Sequence, residues 1–357
     1  MQTLSKIGTM AELEIDKQRT IRYFKSGKGQ PLVLIHTIRT QLDYFEYVIP
    51  ELAKHFTVYA LDLPGHGYSS IDKTAIYDEP YFRTAVKAFI EKLDLNKVTL
   101  VGESIGGVLA LTVAAELPNR IKKVISSNPY DYDKFYGEGV RRGNFLANFV
   151  IGQFAVPYVG AIVAAMENIL FLGIILKGGL KNRKWMPFKT LAEFDRAGRR
   201  RGFRYVERAT FAGWKSWSKA RSLYSKIKAP VELVYAENDW SNLEERELTA
   251  ELLHKKNYIT IKKTGHFSFI DRLKVAKFVI NPNNFWTMNK QVSLFETKMA
   301  EYIGCKHAVF VSSGSTANTI LAMYLKDKIH TEEKKKIIFP STTWTTSIAP
   351  FLREGFE

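Results

Sequence analysis

The chain has 357 residues, of which 46% are hydrophobic, so its length suits about two globular domains with substantial cores. The single cysteine, Cys305, excludes an intrachain disulfide framework, and residues 1–8 lack the apolar stretch of a signal peptide. The absence of a signal peptide predicts a cytoplasmic protein. The net charge of +16 is strongly basic, but no recognised nucleic-acid-binding module accompanies it, so we predict no nucleic-acid partner.

The first predicted element is a strand at residues 31–35, an apolar run that leads into His36, Thr37 and Ile38. A loop with the sequence LDLPGHGYS follows at residues 61–69. His36 and His66 belong to these two segments. Because both precede the candidate nucleophile described next, we interpret them as structural histidines.

Residues 102–106 carry the strongest chemical signal of the chain. They read G-E-S-I-G and connect a predicted strand at residues 97–101 to a predicted helix at residues 107–117. A serine on so tight a strand-to-helix turn has the context of a nucleophile elbow. Glycines at 102 and 106 avoid collisions with the neighbouring strand and helix while the serine adopts a strained backbone. Ser104 is therefore the candidate nucleophile, and an ordinary glycine-rich turn is the alternative.

The alternation of strands and helices stops at residues 131–226, where we predict a helical cap. Residues 144–176 are strongly apolar, but polar residues and a proline interrupt the roughly 20 residues that a membrane span needs. Residues 177–208 are basic, with interleaved aromatic residues. We predict amphipathic helices that line an apolar acyl pocket. Peripheral contact with an anionic membrane, a single membrane span and a solvated basic face are the alternatives.

Two later strands, predicted at residues 231–236 and 258–261, lead to the remaining catalytic candidates. Asp239 lies in the turn after the first strand, and His266 lies in the loop after the second. The chain order is then nucleophile, acid, histidine, as the elbow motif requires. A serine hydroxyl needs an imidazole to accept its proton and a carboxylate to orient that imidazole. We therefore predict that Ser104, Asp239 and His266 form a catalytic triad.

Other acids and histidines remain as alternatives. Asp131 and Asp133 follow a predicted strand at residues 124–127 and are rival candidates for the triad acid. His254, His307 and His330 lack a position at a strand end.

Residues 11–280 resemble an α/β-hydrolase of the esterase, lipase and acyltransferase superfamily. The loop at residues 61–69 matches the family's D-x-P-G-x-G-x-S pattern, and the elbow and the triad order match as well. The resemblance implies a mostly parallel sheet flanked by helices, with the core at residues 1–130 and 227–280 and the cap at 131–226. It also implies a small-molecule acyl substrate, and it requires no metal or organic cofactor.

The same resemblance implies an oxyanion hole built from the backbone N–H groups of Ile105 and Ile38. Thr37 stands where the family usually has glycine, so it either alters this loop or adds a hydroxyl to the site. Arg39 is a candidate contact for an anionic substrate group, and a solvated arginine is the alternative. Serine at position 104, where dehalogenases and epoxide hydrolases have aspartate, implies cleavage of an ester, thioester, lactone or amide, or acyl transfer. Cofactor-free oxygenases and C–C bond hydrolases resemble the same pattern and are the alternatives.

A turn-rich break at residues 281–284 precedes a different pattern. We predict an amphipathic helix at residues 292–303, a strand at 308–311, and a small-residue loop at 312–318 that opens a helix at 319–325. Loop N–H groups at a helix N-terminus bind phosphate readily.

Residues 281–357 resemble the N-terminal end of nucleotide-sugar aminotransferases and deoxysugar 3-dehydratases, which use pyridoxal phosphate. The resemblance implies that Gly314, Ser315 and Thr316 contact the cofactor phosphate and that Trp344 stacks on its ring. The family's later catalytic residues would follow residue 357, so we expect a truncated segment without pyridoxal chemistry. An unrelated αβ extension is the alternative.

The sequence as a whole predicts a serine hydrolase that acts on an acyl group. Two hypotheses from other classes stay open. One is a pyridoxal-phosphate-related protein of deoxysugar biosynthesis with an accessory hydrolase domain. The other is a membrane-surface binding protein with a vestigial triad.

Overall fold

Eight strands form one sheet in the first part of the chain. They are β1 (Gly8–Glu14), β2 (Thr20–Ser26), β3 (Gln30–Ile35), β4 (Phe56–Leu61), β5 (Val98–Glu103), β6 (Ile121–Ser127), β7 (Val231–Asn238) and β8 (Ile259–Gly265). Their order in the sheet is β1-β2-β4-β3-β5-β6-β7-β8. The pairs β1–β2 and β2–β4 are antiparallel and the other pairs are parallel. The predicted fold class, a mostly parallel sheet flanked by helices, is confirmed.

This computed structural model describes residues 4–143, 149, 152–153, 158–166, 168–181, 186–271, 290–309, 311, 313–329, 336–340 and 345–357. The helices in this part of the chain are α1 (Ile49–Leu52), α2 (Glu79–Lys92), α3 (Ile105–Glu116), α4 (Glu138–Gly143), α5 (Val159–Met166), α6 (Ile169–Gly178), α7 (Phe188–Gly198), α8 (Phe203–Ala212), α9 (Trp214–Lys219), α10 (Leu243–Leu252), α11 (Ser268–Asp271), α12 (Lys290–Ile303), α13 (Gly314–Lys328) and α14 (Thr345–Arg353). The chain divides into two compact units, Met1–Asn281 and Pro282–Glu357.

The sheet of the first unit is covered on both faces, which explains its nearly continuous apolar strands. Along β3, Val33 and Ile35 belong to one buried cluster, which contains residues of α2, α3 and α10. Leu32 and Leu34 alternate with them and belong to a second cluster, which includes residues of α6, α7 and α11. Because side chains alternate along a strand, one apolar run fills both cores.

Residues 131–226 lie between β6 and β7 and contain α4 to α9. We call this segment the helical insertion. It interrupts the strand–helix alternation at the point that the sequence indicates. No helix among the described residues is long and apolar enough to cross a membrane.

The second unit has a small apolar core between α13 and α14. Ala322, Phe351 and Phe356 are buried there, and the N–H of Ile337 donates to the carbonyl oxygen of Glu357 at 2.8 Å. The predicted helix at residues 292–303 is present as α12, which begins two residues earlier.

Two predictions for this second unit are wrong. Ala308, Val309 and Val311 are not in a strand, since no neighbouring strand among the described residues offers them a ladder of hydrogen bonds. The predicted loop at residues 312–318 is largely helical, because α13 already begins at Gly314. The helix predicted at residues 272–280 lies outside the described residues.

Candidate active site

Ser104 lies on the turn between β5 and α3 in an unusual backbone conformation. Its φ of 59° and ψ of −122° are rarely adopted by residues other than glycine. Its N–H donates to the carbonyl oxygen of Ser127 at 2.9 Å. A Cβ on Gly102 would overlap the carbonyl oxygen of Gly106, and a Cβ on Gly106 would overlap that of Ile35. The two glycines therefore allow the strand and helix to close around the serine.

The three residues of the predicted triad form a hydrogen-bonded series with His266 in the middle. Ser104 Oγ is 3.0 Å from His266 Nε2, and His266 Nδ1 is 2.5 Å from Asp239 Oδ1. An ionised carboxylate only accepts hydrogen bonds, so His266 donates from Nδ1 and its Nε2 accepts from the Ser104 hydroxyl. All three side chains are buried. Their catalytic role stays a prediction, but the geometry is the one that activation of a serine requires.

Asp239 is held in its charged form by its neighbours. Burial raises the pKa of its carboxyl group, but the adjacent His266 and hydrogen bonds from Ser241 outweigh burial and bring that pKa below its ordinary value. Ser241 donates to Oδ2 from its N–H, at 3.1 Å, and from its hydroxyl. At neutral pH this carboxylate is therefore ionised and accepts the hydrogen bond from His266 Nδ1.

Trp240, directly after the acid, lies flat against His266. The ring centroids are 3.9 Å apart and the ring planes differ by 7°. The stacked indole covers one face of the imidazole and restricts the orientation of the ring. The sequence contained no signal for this contact beyond an aromatic residue next to the acid.

The rival acids have other partners. Asp131 forms an ion pair with Arg221 at 3.1 Å, and Asp133 accepts from the N–H of Gly139 at 2.9 Å. Neither is hydrogen-bonded to His266 within the described part of the chain. Each carboxylate instead fixes an adjacent segment of the helical insertion.

The remaining candidate histidines do not reach the nucleophile. His36 and His66 are fully buried, and burial lowers their pKa values to about 4 and about 3, so both are neutral at physiological pH. His36 Nε2 accepts a hydrogen bond from the Leu63 N–H at 2.9 Å, which ties the loops after β3 and β4 together. His254 and His307 are exposed, and His330 lies outside the described residues.

Glu103, immediately before Ser104, is a buried carboxyl group beneath the site. Burial raises its pKa to about 7, even though hydrogen bonds from Ser268 and Tyr44 favour the charged form. The Ser268 N–H donates to Oε1 at 2.8 Å, and the hydroxyl groups of Ser268 and Tyr44 also donate to this carboxyl group. Glu103 thus fastens the segment that follows His266 to the elbow.

Asn128 connects the same segment to the sheet, and sequence analysis did not identify it. Its Nδ2 donates to the carbonyl oxygen of His266 at 2.7 Å, and its Oδ1 accepts from the Ala236 N–H at 2.7 Å. The backbone φ of 45° is one that asparagine tolerates better than most residues. An asparagine after a strand is the only signal the sequence offered.

The triad opens into an apolar cavity. The cavity encloses about 900 Å³, part of which is open to solvent, and Ser104 and His266 contribute to its wall. Its aromatic lining residues include Tyr136, Phe211, Trp214 and Trp217 from the helical insertion, with Trp240 and Phe267 from the loops after β7 and β8. Its largely apolar and aromatic lining, with a few polar groups beside the nucleophile, is typical of a site for a small, largely apolar molecule.

Ile105 and Ile38, the predicted oxyanion donors, both line this cavity together with Ser104. Ile105 is the first residue of α3, so its N–H belongs to the group that has no acceptor within the helix. Ile38 lies in the turn after β3. The structure therefore brings both backbone segments to the nucleophile, and their oxyanion role stays a prediction.

Thr37 and Arg39, the predicted substrate contacts, also line the cavity. Thr37 is fully buried, and its hydroxyl has no hydrogen-bond partner among the described residues. Arg39 Nε lies 2.8 Å from Glu207 Oε1, and its guanidinium group lies 4.8 Å from the ring centroid of Phe203. The charge of Arg39 is therefore compensated within the protein.

The predicted phosphate contacts of the second unit lie in the first turn of α13. These residues are Gly314, Ser315 and Thr316. The Ser313 side chain caps the helix by accepting the Thr316 N–H at 3.2 Å. That N–H is therefore already used within the helix cap. Trp344 lies outside the described residues, and binding of pyridoxal phosphate stays a prediction.

Two family models match the chain, and they meet near residue 272. The model described as alpha/beta hydrolase fold matches residues 30–273, which is more than half of the chain. The model described as DegT/DnrJ/EryC1/StrS aminotransferase family matches residues 272–357. Both resemblances inferred from motifs are confirmed.

Individual proteins are similar to the chain over parts of its length. A (E)-2-((N-methylformamido)methylene)succinate hydrolase of Acinetobacter baylyi is 33% identical over 116 residues, covering 32% of this chain and 44% of the relative. An acetyltransferase component of the acetoin cleaving system of Pseudomonas putida is 38% identical over 105 residues, covering 29% of this chain and 28% of the relative. The chain thus matches less than half the length of these curated relatives.

A solved structure, the epoxide hydrolase CorEH without ligand, has a TM-score of 0.66 to this chain at 20% identity. The similarity covers 76% of this chain and 96% of that one. At this level of identity the similarity shows the fold alone.

Proposed function

Because the chain belongs to the α/β hydrolase fold family, we propose that it is a serine hydrolase that cleaves an acyl ester, or a related thioester, lactone or amide. The observation that supports the proposal is the hydrogen-bonded series Ser104–His266–Asp239 at the wall of an apolar cavity. Epoxide hydrolases and dehalogenases use an aspartate as nucleophile. Serine at position 104 therefore favours attack on an acyl carbonyl over the opening of an epoxide, although an epoxide hydrolase has the same fold.

In the proposed reaction, Ser104 Oγ attacks the acyl carbonyl carbon while His266 Nε2 takes the hydroxyl proton. Asp239 stabilises the resulting imidazolium, and the N–H groups of Ile105 and Ile38 stabilise the oxyanion. His266 then gives its proton to the leaving group, which departs as an alcohol, thiol or amine. Water, deprotonated by His266, hydrolyses the acyl-enzyme and releases a carboxylic acid. Nucleophile, base and oxyanion donors all come from the chain itself.

The charges around the cavity favour an uncharged acyl group. Besides His266, the ionisable lining residues that the structure describes are Arg39, Asp133, Glu207 and two tyrosines. Arg39 is paired with Glu207, and burial raises the pKa of Asp133 to about 6, so Asp133 is largely ionised at neutral pH. A carboxylate on the acyl chain would meet negative charge without a compensating cation. The helical insertion, which supplies four of the aromatic residues, acts as the cap that shapes this pocket.

Fluorophosphonate labelling read by intact mass tests the proposal. We expect one adduct on the wild type, none on Ser104→Ala, and an unchanged adduct on Ser225→Ala, which removes an exposed serine hydroxyl. Labelling of His266→Ala should be slower by about 10³-fold, since the base is lost. In the same preparation, a butyryl ester should be cleaved at least about tenfold faster than a hemisuccinyl ester. An unlabelled, folded wild type, or an adduct that persists in Ser104→Ala, would contradict the proposal.

A further inference from the structure

The helical insertion exposes large apolar side chains to solvent. Leu170 on α6 is 78% exposed, Tyr158 immediately before α5 is 87% exposed, and Phe188 at the start of α7 is 74% exposed. Ile162 on α5 and Ile174 on α6 are exposed as well. Single exposed apolar residues are common, but several of this size within one segment indicate a surface that contacts something apolar.

The helix α6 connects this surface to the candidate active site. Leu170 and Ile174 are four residues apart, so they lie on one face of the helix, and both are exposed. Ile175 and Leu176 line the cavity that contains Ser104. One helix therefore separates the cavity from an apolar outer surface. Since α6 has only ten residues, it is about 15 Å long and is too short to cross a bilayer.

Positive charge is concentrated in the same segment. Residues 131–226 contain 18 Lys and Arg residues against 7 Asp and Glu residues, a net charge of +11 out of the +16 of the whole chain. Lys177 lies in the last turn of α6. Lys189 follows Phe188 directly, and its side chain is 59% exposed while its Nζ lies 3.7 Å from Glu46 Oε1. Apolar side chains bordered by lysines complement a surface that is apolar inside and negatively charged outside, as an anionic bilayer is.

We propose that the helical insertion docks onto an anionic lipid surface, with Leu170, Ile174 and Phe188 inserted among the acyl chains and the surrounding lysines against the headgroups. This docking does not depend on the acyl chemistry proposed above. It would bring the wall of the cavity formed by α6 to the lipid surface, so that an apolar substrate need not cross water to reach Ser104.

Flotation of the full chain with lipid vesicles tests the proposal. We expect at least about tenfold more binding to phosphatidylcholine vesicles that contain phosphatidylglycerol than to phosphatidylcholine alone, and loss of most binding at high salt. The double variant Leu170→Gln/Ile174→Gln should bind about tenfold less. The matched control is Ile76→Gln, which removes an isoleucine that is 73% exposed outside the insertion and should bind like the wild type.

Failure of docking and failure of the hydrolase proposal give different results. Fluorophosphonate labelling in solution should be equal in all of these variants, which also verifies that each one is folded. Absence of vesicle binding by labelled wild type would overturn the docking proposal and leave the hydrolase proposal intact. The docking proposal would also be overturned by equal binding of the double variant and the Ile76→Gln control. A dimer in light scattering that the double variant dissociates, without vesicle binding, would identify the surface as a contact between copies of the chain and would likewise overturn it.

Discussion

At the scale of single residues, carboxyl groups of similar chemistry behave differently because their surroundings differ. Asp239 has His266 and Ser241 as partners, which hold its pKa below the ordinary value despite burial. For Glu103, burial outweighs the hydrogen bonds from Ser268 and Tyr44 and the electrostatic influence of His266, so its pKa rises to about 7. Asp239 is therefore ionised across the physiological pH range, whereas Glu103 changes its charge within that range.

The titration of Glu103 predicts a loss of stability as pH rises. Its pKa in the folded protein is about 7 against a usual 4.5, so the unfolded chain releases this proton first. The contribution of Glu103 to the free energy of unfolding is therefore greatest below about pH 4.5. It decreases by about 3 kcal/mol as the pH rises to about 7. Glu103→Gln cannot ionise, so the stability of this variant relative to wild type should increase by that amount between pH 4.5 and 8, as measured by urea unfolding.

Urea unfolding of Glu91→Gln at the same pH values provides the control, because the Glu91 side chain is exposed at the end of α2. Its difference from wild type should be the same at both pH values. A pH-independent difference for Glu103→Gln would show that Glu103 does not carry a raised pKa. Comparison with wild type at each pH removes the contributions of other buried groups, such as Glu79, whose pKa burial also raises to about 7.

At the scale of elements, the turn between β5 and α3 depends on close contact between backbones. A methyl group at Gly106 would meet the carbonyl oxygens of Ile35, the last residue of β3, and of His36 directly after it. These are backbone atoms, which cannot rotate away as a flexible side chain could. We expect Gly106→Ala to lower the free energy of unfolding by about 3 kcal/mol and to abolish fluorophosphonate labelling. Chemical denaturation and intact mass measure the two effects.

The variant Gly152→Ala is the control for this prediction. Among the described residues, and apart from its chain neighbours, no atom lies within 4 Å of a Cβ at Gly152, so both stability and labelling should stay close to those of the wild type. Labelling of Gly106→Ala at the wild-type rate would mean that the elbow does not need the close approach of β3.

Elements with strong local signals could be predicted from the sequence. The elbow, β7 and the loop of His266 were identified because each combines an apolar run with turn residues at its end. The strand at residues 308–311 was predicted from the same kind of run and is absent, because a strand also needs a partner that no local pattern specifies. Trp240 and Asn128 were missed for a related reason, since their contacts with His266 join segments far apart in the chain.

At the scale of the whole molecule, the candidate site and the aminotransferase-like segment lie in different units. All residues of the triad and of the cavity lie within Met1–Asn281, and the second unit has a core of its own. We expect a chain ending at residue 281 to be labelled by fluorophosphonate at the same rate as the full chain, since no described residue of the second unit contributes to the cavity. Loss of labelling in a folded, shortened chain would show that the second unit supports the site.

The separation of the triad along the chain has a consequence for folding kinetics. Ser104 and His266 are 162 positions apart, and the whole helical insertion lies between them. Closing so long a loop is slow, and β8 must join the sheet before His266 reaches the serine. During synthesis, Ser104 would therefore stay unreactive until β8 has paired with the sheet. During refolding, reactivity of the serine should appear after the recovery of helical circular dichroism, as a late signal that the sheet is complete.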